Sequence, residues 1–422
     1  QYGGKGMVKL LIIADDFTGA LDTGIQFKKQ GICTQVFTKK QISDDEIKPD
    51  TQVLVIDSET RPLSKDEAYS EVKSIAEWAL SAGIEIIFKK TDSALRGNIG
   101  AELSALADAA KNGTVFFWPG YPGMNRITKD GFHYIDGELL EKSVFGQDPF
   151  EPVTKSYIPD IIHEQSDISV VSVKTDETVQ KTDKEISEIV VCDTVDSQDI
   201  KSRLDELLQK KCLRLIAGCA GLAECLADKL SFTRSKTASY RKTKGLYVAC
   251  GSLNRITENQ VKYAEAHGGF KTVHLTMEQK LKPEYYETAQ GKQFTESVIG
   301  LCEKHKRVIA DTFDRDDTKD EFIKQNDIKP SSVRFRITDS HSCIVDEVVK
   351  KLDFTILMTG GDTLMGYMKK TGCTQIEPLC EIEQGVVVSN IVRAGKSVQV
   401  ISKSGGFGTC DIFCRIADKI IE

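Results

Sequence analysis

Acidic, hydroxylic and basic residues collect where apolar runs of this chain stop. Leu10-Leu11-Ile12-Ile13-Ala14 ends on Asp15-Asp16-Phe17-Thr18-Gly19-Ala20. Ile84-Glu85-Ile86-Ile87-Phe88 ends on Lys89-Lys90-Thr91-Asp92-Ser93-Ala94-Leu95-Arg96-Gly97-Asn98. Between them, the run 53–56 leads into Asp57, and Arg61 follows Ser58-Glu59-Thr60. Ionised aspartates only accept hydrogen bonds, which suits hydroxyl groups. The planar fork of arginine suits a carboxylate. In an open α/β sheet, ligands bind outside the carboxyl ends of the strands. Asp15, Asp16, Arg61, Lys90, Thr91, Asp92, Ser93 and Arg96 are therefore candidate ligands for a small hydroxylated acid held at both ends. The plain alternative for each aspartate is a helix N-cap, and for Arg96 a surface cation on a loop.

The other end of the chain offers backbone rather than side chains. Phe354-Thr355-Ile356-Leu357-Met358 runs into Thr359-Gly360-Gly361-Asp362-Thr363, and Ser404-Gly405-Gly406-Phe407-Gly408 comes later. Gly251-Ser252 follows another strand-like run. Glycine allows close backbone approach and positive φ, and a helix opening there would present N–H groups to phosphate oxygens. Each site alone reads as readily as a plain turn; three at strand ends point to a nucleotide. Gly395-Lys396-Ser397 is a decoy: a Walker A loop needs glycine where Asn390 stands. No G-x-G-x-x-G follows the first strand, so a standard dinucleotide fold is not supported. His133 has no triad partners and reads as a loop or core histidine.

These groups need a scaffold. Strands are predicted at 8–14, 53–56, 84–88, 114–118, 169–173, 188–192 and 213–217. Ala68, Val72, Ile75, Ala76 and Ala79 recur at helical spacing within 66–82. Such alternation predicts an α/β fold: two α/β domains with mostly parallel sheets and a ligand cleft between them. The polar, basic stretch 231–244 reads as the linker, giving domains at 7–230 and 245–422. A second alternating series follows at 246–250, 307–310 and 354–358, and the runs 386–388 and 398–401 look like β-ribbons.

Composition sets limits. The chain has 422 residues, 40% hydrophobic and 28% charged, with a net charge of −7. That argues against a general nucleic-acid binder. No run approaches the length of a transmembrane helix and no signal peptide is visible, so a cytoplasmic protein is expected. The residues before Met7 look like an expression scar. The twelve cysteines contain no C-x-x-C pair and read mostly as reduced core thiols. The six histidines lack ligand spacing, so a structural zinc site is not expected and no metal ligands are assigned.

The ordered motifs resemble the four-carbon acid sugar kinase family over nearly the whole chain after Met7. They are 15–20, 90–97, Asp130-Gly131-Phe132-His133-Tyr134 with Asp148-Pro149, Gly251-Ser252, 360–363 and 404–408. The resemblance implies ATP-dependent phosphorylation of erythronate, threonate or a keto derivative at the terminal hydroxyl. It implies an N-terminal acid-sugar domain and a C-terminal nucleotide domain. Phosphoryl transfer itself calls for Mg²⁺ bridging phosphate oxygens. It places Asp16, Arg61, Lys90, Thr91, Asp92 and Ser93 at the sugar. It places Ser252, Gly360, Gly361, Asp362, Thr363, Ser404, Gly405, Gly406 and Phe407 at ATP. Asp16 or Asp92 would orient or deprotonate the hydroxyl, Lys90 or Arg96 would offset charge, and Arg61 would grip the carboxylate. Ala94 and Asp362 stand where the family often has threonine and glutamate; the first is expected to alter a substrate hydroxyl contact. The expected partners are a small sugar acid and ATP, with a homodimer left open. The competing readings are a non-catalytic two-domain sensor and an enzyme of sugar phosphates that does not use ATP.

Overall fold

The computed structural model describes residues 8–147, 152–180, 186–252, 254–314, 318–403 and 408–422. The chain divides into two compact units between Thr237 and Ala238, inside the polar 231–244 stretch. That stretch is not loose. Lys9 Nζ donates to the Ser231 carbonyl at 2.6 Å and Ser235 N to that of Gly31 at 2.8 Å. Beyond the division, Arg241 N donates to Gln399 Oε1 at 2.9 Å.

In the first unit the strands are β1 (Leu10–Ala14), β2 (Thr34–Phe37), β3 (Val53–Asp57), β4 (Ile86–Lys90), β5 (Thr114–Trp118), β6 (Arg126–Lys129), β7 (Phe132–Ile135), β8 (Glu138–Leu139), β9 (Ser169–Val173), β10 (Glu188–Cys192) and β11 (Leu215–Gly218). Eight form a parallel sheet in the order β2-β3-β1-β4-β11-β5-β10-β9. Helices on both faces bury the central strands completely, which is why they read as unbroken apolar runs. The helix Lys65–Ser81 buries Ala68, Val72, Ile75, Ala76 and Ala79, the stripe read from spacing. Ser64 and Glu67 close its N-terminus as a capping box. Ala14 is level with both Asp57 and Lys90, so β3, β1 and β4 stop side by side.

One predicted boundary and two unpredicted elements need correction. β4 extends to Lys90 instead of stopping at Phe88. Apolarity marks the wrong end because Lys89 is wholly buried, its Nζ 3.1 Å from Glu102 Oε2 and 2.8 Å from the Lys90 carbonyl. β2 carries Thr34 and Gln35 fully buried, so its polar half hid it. The antiparallel ribbon β6-β7-β8 was not anticipated. Its turns are Asp130-Gly131 and Asp136-Gly137, with all four residues at positive φ, the pairing that selects tight hairpin turns.

The second unit contains β12 (Gly245–Cys250), β13 (Lys271–His274), β14 (Arg307–Asp311), β15 (Phe354–Thr359), β16 (Gln375–Glu383), β17 (Val386–Arg393) and β18 (Lys396–Lys403). The order β13-β14-β12-β15-β18 is parallel, and β18-β17-β16 continues antiparallel. The expected ribbons are thus longer than their apolar cores. Ala394 and Gly395 form the β17–β18 turn at positive φ, so the Walker-like decoy is a hairpin.

Removing one member of a buried ion pair strands the other, at about 3–5 kcal/mol. Glu102→Gln should therefore lower unfolding free energy by about that amount in urea titrations. Lys89→Met combined with Glu102→Leu should recover most of it. An additive loss in the double variant would show that the pair does not act as a unit.

Candidate active site

At the shared end of β3, β1 and β4, six charged side chains interlock. Arg61 directs Nε and Nη2 at Asp15 Oδ2 (2.8 and 2.7 Å), and Nη1 at Asp16 Oδ2 (3.0 Å). Its Nη2 also lies 3.9 Å from Asp92 Oδ1. Lys90 Nζ sits 3.4 Å from Asp15 Oδ1 and 3.7 Å from Asp16 Oδ1. Arg96 holds Asp92 in a two-point clasp, Nε to Oδ2 at 2.7 Å and Nη2 to Oδ1 at 3.1 Å. Gly19 is required beside them: a Cβ there would lie 2.2 Å from Lys90 Nζ.

The environment separates the aspartates. Burial pushes the Asp15 carboxyl up, but Lys90, Arg61 and Lys89 outweigh it and hold it below the usual range. Burial likewise opposes ionisation of Asp92, yet the Arg96 hydrogen bond and the charges of Arg61, Arg96 and Lys90 hold it well below normal. Lys90 is pulled down by burial and pushed up further by Asp15 and Asp16, so it stays charged. Asp57 differs. Burial, Glu59, Asp16 and Asp15 push it well above the carboxylate range, and its Oδ2 has no partner. The Asp16 side chain is 29% exposed, against 10% for Asp92 and 2% for Asp15.

The structure thus brings Asp15, Asp16, Arg61, Lys90, Asp92 and Arg96 into one cluster, with Thr91 and Ser93 on the same segment. Asp16 also fulfils the capping alternative, its Oδ1 accepting from Gly19 N at 3.0 Å to open the helix Phe17–Lys28. Arg61 is engaged by protein carboxylates rather than presented as an open fork. Arg96 is not a loose surface cation. Ala94 is fully buried in the apolar core, so a hydroxyl there would face that core and not a substrate. Thr91 Oγ1 is buried without a partner.

In the second unit, β12 and β15 stop side by side. Ser252 N donates to Thr359 Oγ1 at 3.3 Å, joining the Gly251-Ser252 turn to the Gly360 turn. Gly360 has φ +91° as the N-cap of the helix Gly361–Thr371, a conformation that excludes a side chain at little cost only for glycine. Thr363 Oγ1 turns back to the Thr359 carbonyl at 2.9 Å. Asp362 is exposed, 4.0 Å from Arg334 Nη1. Ser404, Gly405, Gly406 and Phe407 lie outside the described residues, as do Asp148 and Pro149. Lys403, which precedes them, accepts from Gly360 N at 2.9 Å through its carbonyl. Burial lowers its ammonium to about 8. A polar cavity of about 480 Å³ in this unit, lined partly by Cys343, Lys370 and Arg393, shares none of these residues.

Comparison with known proteins follows the same division. A family model described as a sugar-binding N-terminal domain matches residues 10–226, and one described as a nucleotide-binding C-terminal domain matches 247–413. The chain belongs to the four-carbon acid sugar kinase family. It is 25% identical over 421 residues to the D-threonate kinase of Salmonella typhimurium, covering 96% of this chain and 97% of that one. It is 23% identical over 443 residues to the D-erythronate kinase of Heliobacterium modesticaldum, covering 98% of each. Among solved structures, a Salmonella typhimurium LT2 protein described as a putative tRNA synthase has a TM-score of 0.80 at 21% identity, covering 98% of this chain and 100% of that one. A Haemophilus influenzae protein of family DUF1537 has a TM-score of 0.73 at 18% identity, with the same coverage. These two share the fold. The kinase family is thus established for a chain in which no helix among the described residues is long and apolar enough to cross a membrane.

Sequence reasoning missed the neighbours that the ribbon supplies. Arg126 Nη1 donates to Ser93 Oγ. His133, buried in β7, shares one hydrogen bond with the Ser93 carbonyl through Nε2 (3.0 Å) and one with Thr128 Oγ1 through Nδ1 (3.2 Å). The two Asp-Gly turns were the available signal.

His133 gives a pH prediction. Burial lowers it to about 4, against about 6.5 when unfolded. The unfolded chain binds more protons between those values, so stability is full above 6.5 and falls as pH drops towards 4. The loss is on the order of 3 kcal/mol. Titrating urea midpoints across this window should show a shallower fall for His133→Gln than for the parent; equal slopes would refute the assignment.

Proposed function

We propose that this kinase phosphorylates the terminal C4 hydroxyl of a four-carbon sugar acid, namely erythronate, threonate or a keto-tetronate, using Mg²⁺-ATP. The first unit binds the acid and the second the nucleotide. The observation carrying this reading is the neutralised carboxylate–cation cluster at the ends of β3, β1 and β4, within the part matched as sugar-binding. Relatives spanning the whole chain and named D-threonate and D-erythronate kinases support the substrate class.

The nucleotide phosphates fit the turns that join β12 and β15 to their helices. N–H groups at the start of Gly361–Thr371 face a site where Gly360 leaves the approach open, with the Thr363 hydroxyl and the Ser252 backbone N–H beside it. Lys403 adds positive charge nearby. Mg²⁺ would neutralise phosphate oxygens. Among the described residues no cluster of three or more ligating side chains exists. Asp362 is the carboxylate at the turn, and such an ion usually keeps several waters.

The acid's hydroxyl oxygen attacks the γ-phosphorus, the bond to the ADP oxygen breaks, and the hydroxyl proton passes to a carboxylate. Asp16 fits that role better than Asp92. A base held far below its normal range accepts a proton poorly, and Asp92 is clasped at both oxygens by Arg96. Asp16 is the more exposed; its Oδ2 lies on Arg61 and its Oδ1 accepts from Gly19 N, but no single cation clasps both oxygens. Lys90 sits where it can offset charge developing beside Asp15 and Asp16.

A coupled ADP-release screen over erythronate, threonate and 2- and 3-keto-tetronates of both hands tests the function. Acid-dependent ADP release with at least one of them is expected. Binding without turnover would instead indicate a sensor. For the chemistry, Asp16→Asn should lower kcat by about 10²- to 10⁴-fold with a smaller change in acid affinity. Asp92→Asn should raise KM for the acid and lower thermal stability more than it lowers kcat. The reverse pattern would transfer the base to Asp92.

A further inference from the structure

The charges at the strand ends nearly cancel. Asp15, Asp16 and Asp92 face Arg61, Lys90 and Arg96, and Glu102 faces Lys89. Asp57 is pushed towards its neutral form. Arg126 remains. Its guanidinium donates to Ser93 Oγ and lies 5.2 Å from the centre of the Phe145 ring. Among the described residues it forms no ion pair with a carboxylate. Arg96 approaches the same ring at 5.3 Å. Two cations thus share one aromatic ring, and Asp92 clasps only Arg96.

Arg126 is held rigidly. Tyr121 N donates to its carbonyl at 2.7 Å, and its own N–H donates to the Tyr121 carbonyl at 3.2 Å. Further along the ribbon, Thr128 and Thr194 exchange backbone bonds at 2.8 Å each. His133 ties β7 to the Ser93 carbonyl. Such anchoring fixes a donor before any ligand arrives, which lowers the ordering cost of binding. One guanidinium nitrogen is used on Ser93, leaving further donors for a two-point contact. Ser93 accepts from Arg126, so its own hydroxyl proton is available to a second oxygen.

We propose that Arg126, with Ser93, receives the substrate's carboxylate, and that this contact makes the enzyme select a sugar acid over the neutral polyol or amide. Arg61 then has a different task, holding Asp15 and Asp16 in place. Arg126, which meets Ser93 and the Phe145 ring but no carboxylate among the described residues, suits the single negative charge of a tetronate. This assignment rests on the sugar-acid kinase reading above and refines it.

The test uses the full-length enzyme at saturating Mg²⁺-ATP, with the preferred tetronate, its neutral amide and the corresponding tetritol. The parent should favour acid over amide strongly. Arg126→Gln should lower kcat/KM for the acid by about 10²- to 10³-fold, mainly through KM, because a site left without its charged donor loses the anion selectively. Its kcat/KM for the amide and tetritol should stay within about threefold of the parent, and KM for ATP should be unchanged. Arg126→Lys, which keeps the charge and loses the fork, should fall between the two. It serves as the deciding variant if Arg126→Gln fails to fold. Equal losses for acid and amide, or a loss expressed in KM for ATP, would overturn the assignment while leaving the kinase reading standing. A parent inactive on every tetronate would sink the kinase reading itself.

Discussion

Everything at the acid-sugar end depends on the clasp of Arg61 on Asp15 and Asp16. Two carboxylates on adjacent residues, one of them almost fully buried, repel each other and lose hydration. Either effect alone would push a proton onto one of them. Arg61 from one side and Lys90 from the other hold Asp15 below the usual carboxylate range, so it stays a hydrogen-bond acceptor. Asp57, which has no such cation, shows the alternative outcome: its carboxyl is driven towards the neutral form in the same neighbourhood.

The sheet makes the clasp possible. β3, β1 and β4 are hydrogen-bonded neighbours ending at the same level, although their residues are far apart along the chain. Below the clasp, the Lys89–Glu102 pair is anchored by the Thr60 hydroxyl on Glu102. The same short segment that carries Arg61 therefore also supports the layer beneath it. Beside it, Asn98 Nδ2 donates to the Thr60 and Leu63 carbonyls at 2.9 Å each, fixing the loop that presents Arg61. The rigidity suits phosphoryl transfer, in which the protein contributes mainly position and charge.

On the proposed reading, the two units solve different recognition problems by different means. At the end of β3, β1 and β4, recognition is by charged side chains locked against one another. At the end of β12 and β15, it is by backbone, with glycine at the helix start, the Ser252 N–H on the Thr359 hydroxyl and the Thr363 hydroxyl on the Thr359 carbonyl knitting the turns together. Hydroxyl-rich acids present many donors in a fixed stereochemistry, whereas phosphates present acceptors alone. That contrast accounts for the distribution of residue types over the chain.

The sequence by itself determined the α/β class, the helix Lys65–Ser81 with its buried stripe, and the gathering of Asp15, Asp16, Arg61, Lys90, Asp92 and Arg96 at strand ends. Those properties are local: apolar periodicity reports burial, and polar residues after an apolar run report a strand terminus. It misplaced the end of β4 because Lys89 and Lys90 look like surface residues until Glu102, Asp15 and Asp16 are brought to them. It could not decide which carboxylate each arginine would hold. The pairing of Arg61 with Asp15, and of Arg126 with Ser93, joins residues far apart in sequence. Only the tertiary structure decided that Arg61 meets carboxylates and that Arg126, among the described residues, meets Ser93 and Phe145 instead. Occupancy of a charge is set by every ion within a few ångströms, and the chain's order does not state which ions those are.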